Sequence, residues 1–364
     1  MQNPPNPRPL LAGALALGLL LSSAAPAAPA ADDACTEAIS ALETALVRLA
    51  ADRIDDALGA VADSTRALGD TYAQLAEAEP TRPAPDRDRW LERRATRGGT
   101  TGFRTWPDAL TSPPAFQAPY PGFYSYAGAD VDEALLRELA LFERLLPAFR
   151  SAYRSFPFSW VYVTTADQAL MIYPYVPIEQ AANNGNPTRT PYYNAADFER
   201  RAVGWTAPYL DLVGAGMMVT ASYPIYQGDT LLGVMSRDIT LKELTDSVLR
   251  PETGWGASVL LVDRDGLAIG ASDPDLAAEL DAVNTKSGAA VLYYRSAEGM
   301  QSVTTDGAVA SADTAVDALV ERLLAAIGDR DSVALDLDGQ TVLAARVPRT
   351  GWLLILSRPP ASLP

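Results

Sequence analysis

The chain has 364 residues, a formal net charge of −16, no histidine and one cysteine. Those counts exclude Ser-His-Asp and Cys-His nucleophile pairs, histidine-ligated zinc or haem, an internal disulfide, a thiolate zinc site and an iron–sulfur cluster. So acidic a surface repels phosphate backbones and speaks against nucleic acid as a partner, while 48% hydrophobic residues are enough to bury the cores of two domains.

Residues 1–30 read as a signal peptide. Arg8 supplies a positive charge, Leu10 to Ala25 is apolar and uncharged, and Ala28-Pro29-Ala30 fits a small-residue cleavage site. The mature chain is then periplasmic or secreted. The alternative is a single uncleaved N-terminal membrane anchor, for which the run is a little short. Cys35 reads as a lone thiol, because Asp32-Asp33-Ala34 is a poor lipidation signal. There is no second hydrophobic span, so the output is expected on a separate partner.

Residues 31–79 read as one long helix. Ile39, Leu42, Leu46, Ala50, Ile54, Leu58, Val61, Leu68, Tyr72 and Leu75 recur mostly three or four apart, and Pro80 ends the pattern. The stripe is longer than one module needs, which points to a homodimer through this helix. Residues 80–155 begin with a proline- and aromatic-rich stretch, expected to be a packed loop layer. They end in an amphipathic helix over 130–150, with Leu135, Leu136, Leu139, Phe142, Leu145 and Leu146 on its apolar face.

Residues 156–250 form the first expected module. Strands are expected over 159–165 and 169–175, then a loop over 179–191 and a short helix over 197–203. A hairpin follows over 217–226 and 231–239, then a helix over 241–249. Residues 251–364 repeat the pattern on a smaller scale. Strands are expected over 257–262, 267–271, 332–337, 341–347 and 352–357, with a helix over 315–327. Asp-Gly turns stand at 265–266 and 338–339. Neither turn has EF-hand ligand spacing, so no metal is expected. The fold class is α+β: a long N-terminal helix followed by two PAS-like modules with antiparallel sheets.

Three stretches carry a resemblance. They are Trp205-Thr206-Ala207-Pro208-Tyr209-Leu210-Asp211, then Thr220-Ala221-Ser222-Tyr223-Pro224-Ile225-Tyr226, then Leu232-Gly233-Val234-Met235-Ser236-Arg237-Asp238-Ile239-Thr240-Leu241. In this order the sequence resembles the double Cache family, extracellular sensors of bacterial chemoreceptors, histidine kinases and cyclases. The resemblance implies a membrane-distal module (156–250) that binds ligand and a membrane-proximal one (251–364). It implies that Tyr209, Asp211 and Asp238 hold the ammonium of an amine or amino acid. Two carboxylates and an aromatic face suit that cation. Trp205, Tyr162 and Tyr173 are expected to line the pocket.

The family's carboxylate grip, Arg-x-Trp-Tyr, is not matched where it was sought. That stretch reads Phe198-Glu199-Arg200-Arg201-Ala202. Arg200 or Arg201 is left to hold a carboxylate, and both read equally well as surface partners of Asp197 and Glu199. The expectation is an extracytoplasmic sensor or binding protein that is not an enzyme, needs no cofactor and acts through a membrane sensor or transducer. The alternative is a degenerate module used for docking, without a small ligand.

Overall fold

The computed structural model describes residues 29–78, 86–114, 119–155, 160–182, 185–211, 217–241, 244, 257–287, 292–293, 309–310, 314–337 and 339–357. The signal segment and most of the helix expected over 241–249 lie outside them. Among the described residues no helix is long and apolar enough to cross a membrane. The chain divides into two compact units, Met1–Leu42 and Glu43–Pro364, and both main sheets lie in the second.

Helix α1 (Pro29–Ala78) forms where the sequence is rich in Ala, Leu, Arg and acidic residues and proline-free after its first position. From Val47 on it buries Ala51, Ile54, Leu58, Val61, Thr65, Leu68 and Tyr72. Gly69 interrupts good helix formers for a packing reason. A Cβ there would lie 2.6 Å from the ring of Tyr223, so only glycine admits that close approach.

The proline-rich stretch differs from its reading as a loop layer. It holds helix α2 (Arg87–Glu92) and strands β1 (Arg94–Arg97), β2 (Thr100–Phe103) and β3 (Gly122–Ser125). The prolines punctuate strands of four residues, too short to show an alternation. Helix α3 (Glu133–Ser155) runs five residues further than expected.

Strands β4 (Val161–Thr165) and β5 (Ala169–Tyr173) follow, then helix α4 (Ile178–Ala181), a 3-10 turn (Pro187–Arg189) and helix α5 (Pro191–Asn194). The two-residue strands β6 (Gly204–Trp205) and β7 (Tyr209–Leu210) precede the hairpin β8 (Met217–Gln227) and β9 (Thr230–Thr240). These strands build one nine-stranded sheet, ordered β1-β2-β3-β5-β4-β9-β8-β6, with β7 also on β8. It takes in strands from both 80–155 and 156–250.

The short helix expected over 197–203 is absent. Asp197 pairs with Ala202 as an isolated bridge, the Asp197 carboxylate accepts from the Arg200 N–H at 2.9 Å, and Arg201 turns left-handed at φ 50°. An aspartate that bonds its own backbone competes with helix formation.

The second sheet is β11-β10-β16-β15-β14. Its strands are β10 (Ser258–Val262), β11 (Ala268–Ala271), β14 (Ser332–Leu337), β15 (Gln340–Arg346) and β16 (Leu353–Ser357), all antiparallel. Helix α6 (Pro274–Ser287) was not foreseen, and α7 (Thr314–Ile327) was. A small pair, β12 (Leu292–Tyr293) and β13 (Val309–Ala310), runs parallel, against the expectation of antiparallel pairing alone.

One face of the second sheet packs Leu260, Val262, Leu353 and Ile355 on Val320, Leu323 and Ile327 of α7. The other face packs Leu261, Leu343 and Leu354 into a core that also holds Ile54, Leu58 and Val61 of α1, and Val219 and Ile239 of β8 and β9. The two modules therefore share a core along α1. Leu58→Ala is expected to cost about 2–5 kcal/mol and to lower one cooperative thermal transition. Two separate transitions by calorimetry would show that each module keeps its own core.

Candidate ligand site

Strand alternation splits the first sheet into two faces. Val161, Val163, Met171, Tyr173 and Met235 face α1 and α3. Trp160, Tyr162, Leu170 and Met218 face the other way, under Val176, Ile178 and Tyr192 from the loop layer. Asp238, Thr220, Ser222 and Ser236 belong to this second face, by the pairings Thr220↔Asp238, Ser222↔Ser236 and Tyr162↔Ser236.

Asp238 is the centre of the polar cluster and is 4% exposed. The Tyr162 hydroxyl donates to Asp238 Oδ1 at 3.0 Å, and the Thr220 hydroxyl donates to the same oxygen at 2.7 Å. The Tyr209 hydroxyl lies 2.6 Å from Thr220 Oγ1. Thr220 has one proton and gives it to Asp238, so Tyr209 donates to Thr220. The backbone fixes the arrangement, since the Asp238 N–H donates to the Trp160 carbonyl at 3.0 Å.

Burial pushes the Asp238 carboxyl up to about 8. That value already includes the negative charge of Asp211, which adds to the rise, and the hydroxyls of Thr220, Tyr162 and Tyr209, which oppose it. Asp211 is half-buried. The Tyr162 hydroxyl is itself held well above its ordinary range, by burial and then by Asp238. Among the described residues no arginine or lysine forms an ion pair with Asp238.

Tyr192 completes the wall. Its ring meets that of Tyr162 edge-on, with centroids 5.4 Å apart, and lies 6.2 Å from that of Tyr209. Ser222 donates to the Tyr192 carbonyl at 2.5 Å, which fastens α5 to β8, and Thr190 caps α5 through the Tyr193 N–H. Three tyrosines thus surround one buried carboxylate, with a second carboxylate beside it. Chemically, such a site receives a cation: oxygens accept its N–H groups and aromatic faces add attraction.

Of the eight residues singled out from the sequence, Tyr162, Tyr209 and Asp238 meet directly, and Asp211 lies close enough to perturb Asp238. The structure does not bring the other four to them. Tyr173 points to the opposite face, into the α3 core beside Tyr153. Trp205 pairs with Ala221 and packs on the α1 side. One position of strand phase decides each case.

Arg200 is exposed and pairs with Asp197 at 3.7 Å. Arg201 bonds the Gly228 carbonyl and Asp229 and lies over the Tyr226 ring. That is the far end of the hairpin, seven residues along β8 from Thr220, or roughly 23 Å.

Sequence reasoning missed Tyr192, Thr220 and the loop layer around them. The signal was present in Arg189-Thr190-Pro191-Tyr192-Tyr193, an arginine followed by an aromatic pair. It lies nine residues before Phe198-Glu199-Arg200-Arg201-Ala202. Arg189 ends the 3-10 turn that sits against β4, and it is exposed.

Residues 146–246 match the family model described as "Methyl-accepting chemotaxis protein-like, first PDC sensor domain". The methyl-accepting chemotaxis protein McpC of Bacillus subtilis is 31% identical over 105 residues, 29% of this chain and 16% of that protein. The methyl-accepting chemotaxis protein McpA of Pseudomonas putida is 33% identical over 124 residues, 34% of this chain and 18% of that protein. The match therefore spans less than a fifth of either relative.

The sensory domain of the Campylobacter jejuni chemoreceptor Tlp3 (CcmL), solved with isoleucine bound, superposes with a TM-score of 0.51 at 14% identity, covering 91% of this chain and 96% of that one. The ligand-binding domain of the same receptor with L-norvaline gives 0.51 at 14%, covering 92% and 95%. At that identity the likeness shows the fold. Residues 146–246, which hold Tyr162, Tyr192, Tyr209, Asp211, Thr220 and Asp238, match the model of a first PDC sensor domain of the chemotaxis-receptor type, and the chain as a whole has the double Cache fold of the solved sensory domains.

Proposed function

We propose that this chain is an extracytoplasmic sensor that binds a small amine or amino acid against the β4–β9–β8 face and passes its state to a transducer. The observation that carries this reading is Asp238, a buried carboxylate among three tyrosines, to which no arginine or lysine pairs among the described residues, with Asp211 beside it. An ammonium supplies the countercharge with which Asp238 can give up its proton. Solved domains of this fold are described with isoleucine and with L-norvaline bound, which supports the same class of ligand here.

For an amino acid, Arg189 is the cation assigned to the carboxylate, because it stands three residues before Tyr192 on the 3-10 turn against β4, whereas Arg200 and Arg201 are taken up by Asp197 and Asp229. A thermal-shift screen against amino acids and their decarboxylated amines tests the function. A ligand at a hundredfold excess over Kd stabilises by about 2.7 kcal/mol. If no amine or amino acid shifts the melting temperature, a docking role without small ligand becomes the better reading.

Arg189→Ala is expected to weaken an amino acid at least about tenfold and to leave the matching amine unchanged, by calorimetric titration. Equal loss for both would remove Arg189 from the carboxylate's place.

A homodimer through α1 is part of the same proposal. Ile39, Leu42 and Leu49 are exposed, at 50%, 61% and 57%, and large exposed apolar residues on one helix suit a second copy of the chain. Sedimentation at high micromolar concentration is expected to show dimer. Monomer alone would count against it.

A further inference from the structure

Arg237 and Asp238 are neighbours on β9 and face opposite ways. Asp238 enters the tyrosine cluster. Arg237 is 1% exposed and crosses to the helices on the other face. Its Nη1 donates to Ser64 Oγ of α1 at 2.7 Å, and its Nη2 donates to the Ala152 carbonyl in the last turn of α3 at 2.6 Å.

A guanidinium is an expensive group to bury, and a core strand facing two helices needs only an apolar side chain there. The carbonyl at the negative end of α3 offsets part of that cost. The bond to Ser64 does something different, since it gives the strand a directional attachment to the long helix. Apolar packing slides under small displacements, whereas a bidentate guanidinium is held by distance and angle.

We infer that Arg237 is a positioning residue that couples the state of the Asp238 site to helix α1, an inference that rests on that cluster being the ligand site. The two side chains share one peptide link. A ligand gripped between Asp238 on β9 and Asp211 beyond β7 pulls on β9, and any displacement of residue 238 displaces residue 237. Ser64 is the point on α1 that receives it. The fold thus has a short mechanical path from the carboxylate to the helix: one residue of strand, one side chain and one hydrogen bond.

The test uses the full chain and no ligand. Asp238→Ala removes the acceptor of Tyr162 and Thr220 and so disturbs the site directly. Amide hydrogen exchange is followed in α1 over residues 60–68. In the native background Asp238→Ala is expected to change exchange there by about threefold or more. In a Ser64→Ala background the same substitution is expected to change it by less than the measurement error, because the hydrogen bond that carries the effect is gone; sites acting independently would give the same change in both backgrounds. Arg237→Met should behave like Ser64→Ala. If that variant does not fold, Ser64→Ala still decides, since it removes only a hydroxyl from a helix.

The coupling is overturned if Asp238→Ala has no effect on α1 in the native background. It is also overturned if the effect is the same size with Ser64→Ala. Neither result touches the ammonium reading, which stands or falls on ligand titration alone.

Discussion

Asp238→Asn is expected to remove binding of the proposed ligand without unfolding the protein. The amide keeps an acceptor for the hydroxyls of Tyr162 and Thr220, so the internal hydrogen bonds survive. It removes the buried negative charge that the proposed ammonium would meet at the centre of the site. Breaking a buried ion pair by deleting one partner costs about 3–5 kcal/mol, or roughly a hundredfold to several thousandfold in Kd.

The unliganded protein should behave in the opposite direction. A carboxyl raised to about 8 carries a folding cost when it ionises, so the asparagine variant melts no lower than the native chain at pH 9. Calorimetric titration with the best ligand from the amine and amino-acid screen, paired with a thermal melt, separates the two effects. Unchanged affinity in Asp238→Asn would sink the ammonium site.

The second large effect is pH dependence. The Asp238 carboxyl is pushed up to about 8, first by burial and then by Asp211. The unfolded value is near 3.9, so the folded group is raised. Its contribution to stability is fully present below about 4 and is lost as pH rises through about 8. Binding runs the other way. Between about pH 5 and 8 an incoming ammonium must first displace the proton from Asp238, so affinity is expected to rise by about tenfold per pH unit and then level off.

Below pH 7, titrations in buffers of different ionisation enthalpy should report close to one proton released per ligand bound. Asp211→Asn removes a neighbouring negative charge, so it should lower the Asp238 carboxyl and move the rising limb to lower pH. An affinity independent of pH from 6 to 8 would mean that Asp238 is already ionised in the free protein, or that the ligand does not touch it.

The sequence was sufficient for the elements whose pattern is long. The 3.6-residue period of α1, the alternation in the β8–β9 hairpin and the amphipathic α3 are each written over ten or more residues, and each forms as the expected element, α3 with a last turn beyond its expected end. Tyr209 and Asp238 were singled out together only through the family resemblance; in the fold they meet through Thr220 of β8, which lies against both β7 and β9.

Only the tertiary structure decided which face each side chain takes and which loop folds over the sheet. Tyr162 and Tyr173 look alike in the sequence, yet β4 and β5 pair so that one meets Asp238 and the other enters the α3 core. Trp205 lies four residues from Tyr209 and faces α1. Arg200 and Arg201 are drawn away by Asp197 and Asp229, since a left-handed turn at Arg201 carries the chain to the hairpin's far end. Tyr192 reaches the site from a four-residue helix with no period to read, held there by Ser222 from β8. Period and alternation are local properties and survive in a one-dimensional string. The phase of one strand against another, and the closing of a loop on a sheet, depend on contacts between residues far apart in the chain, and these exist only once the chain has folded.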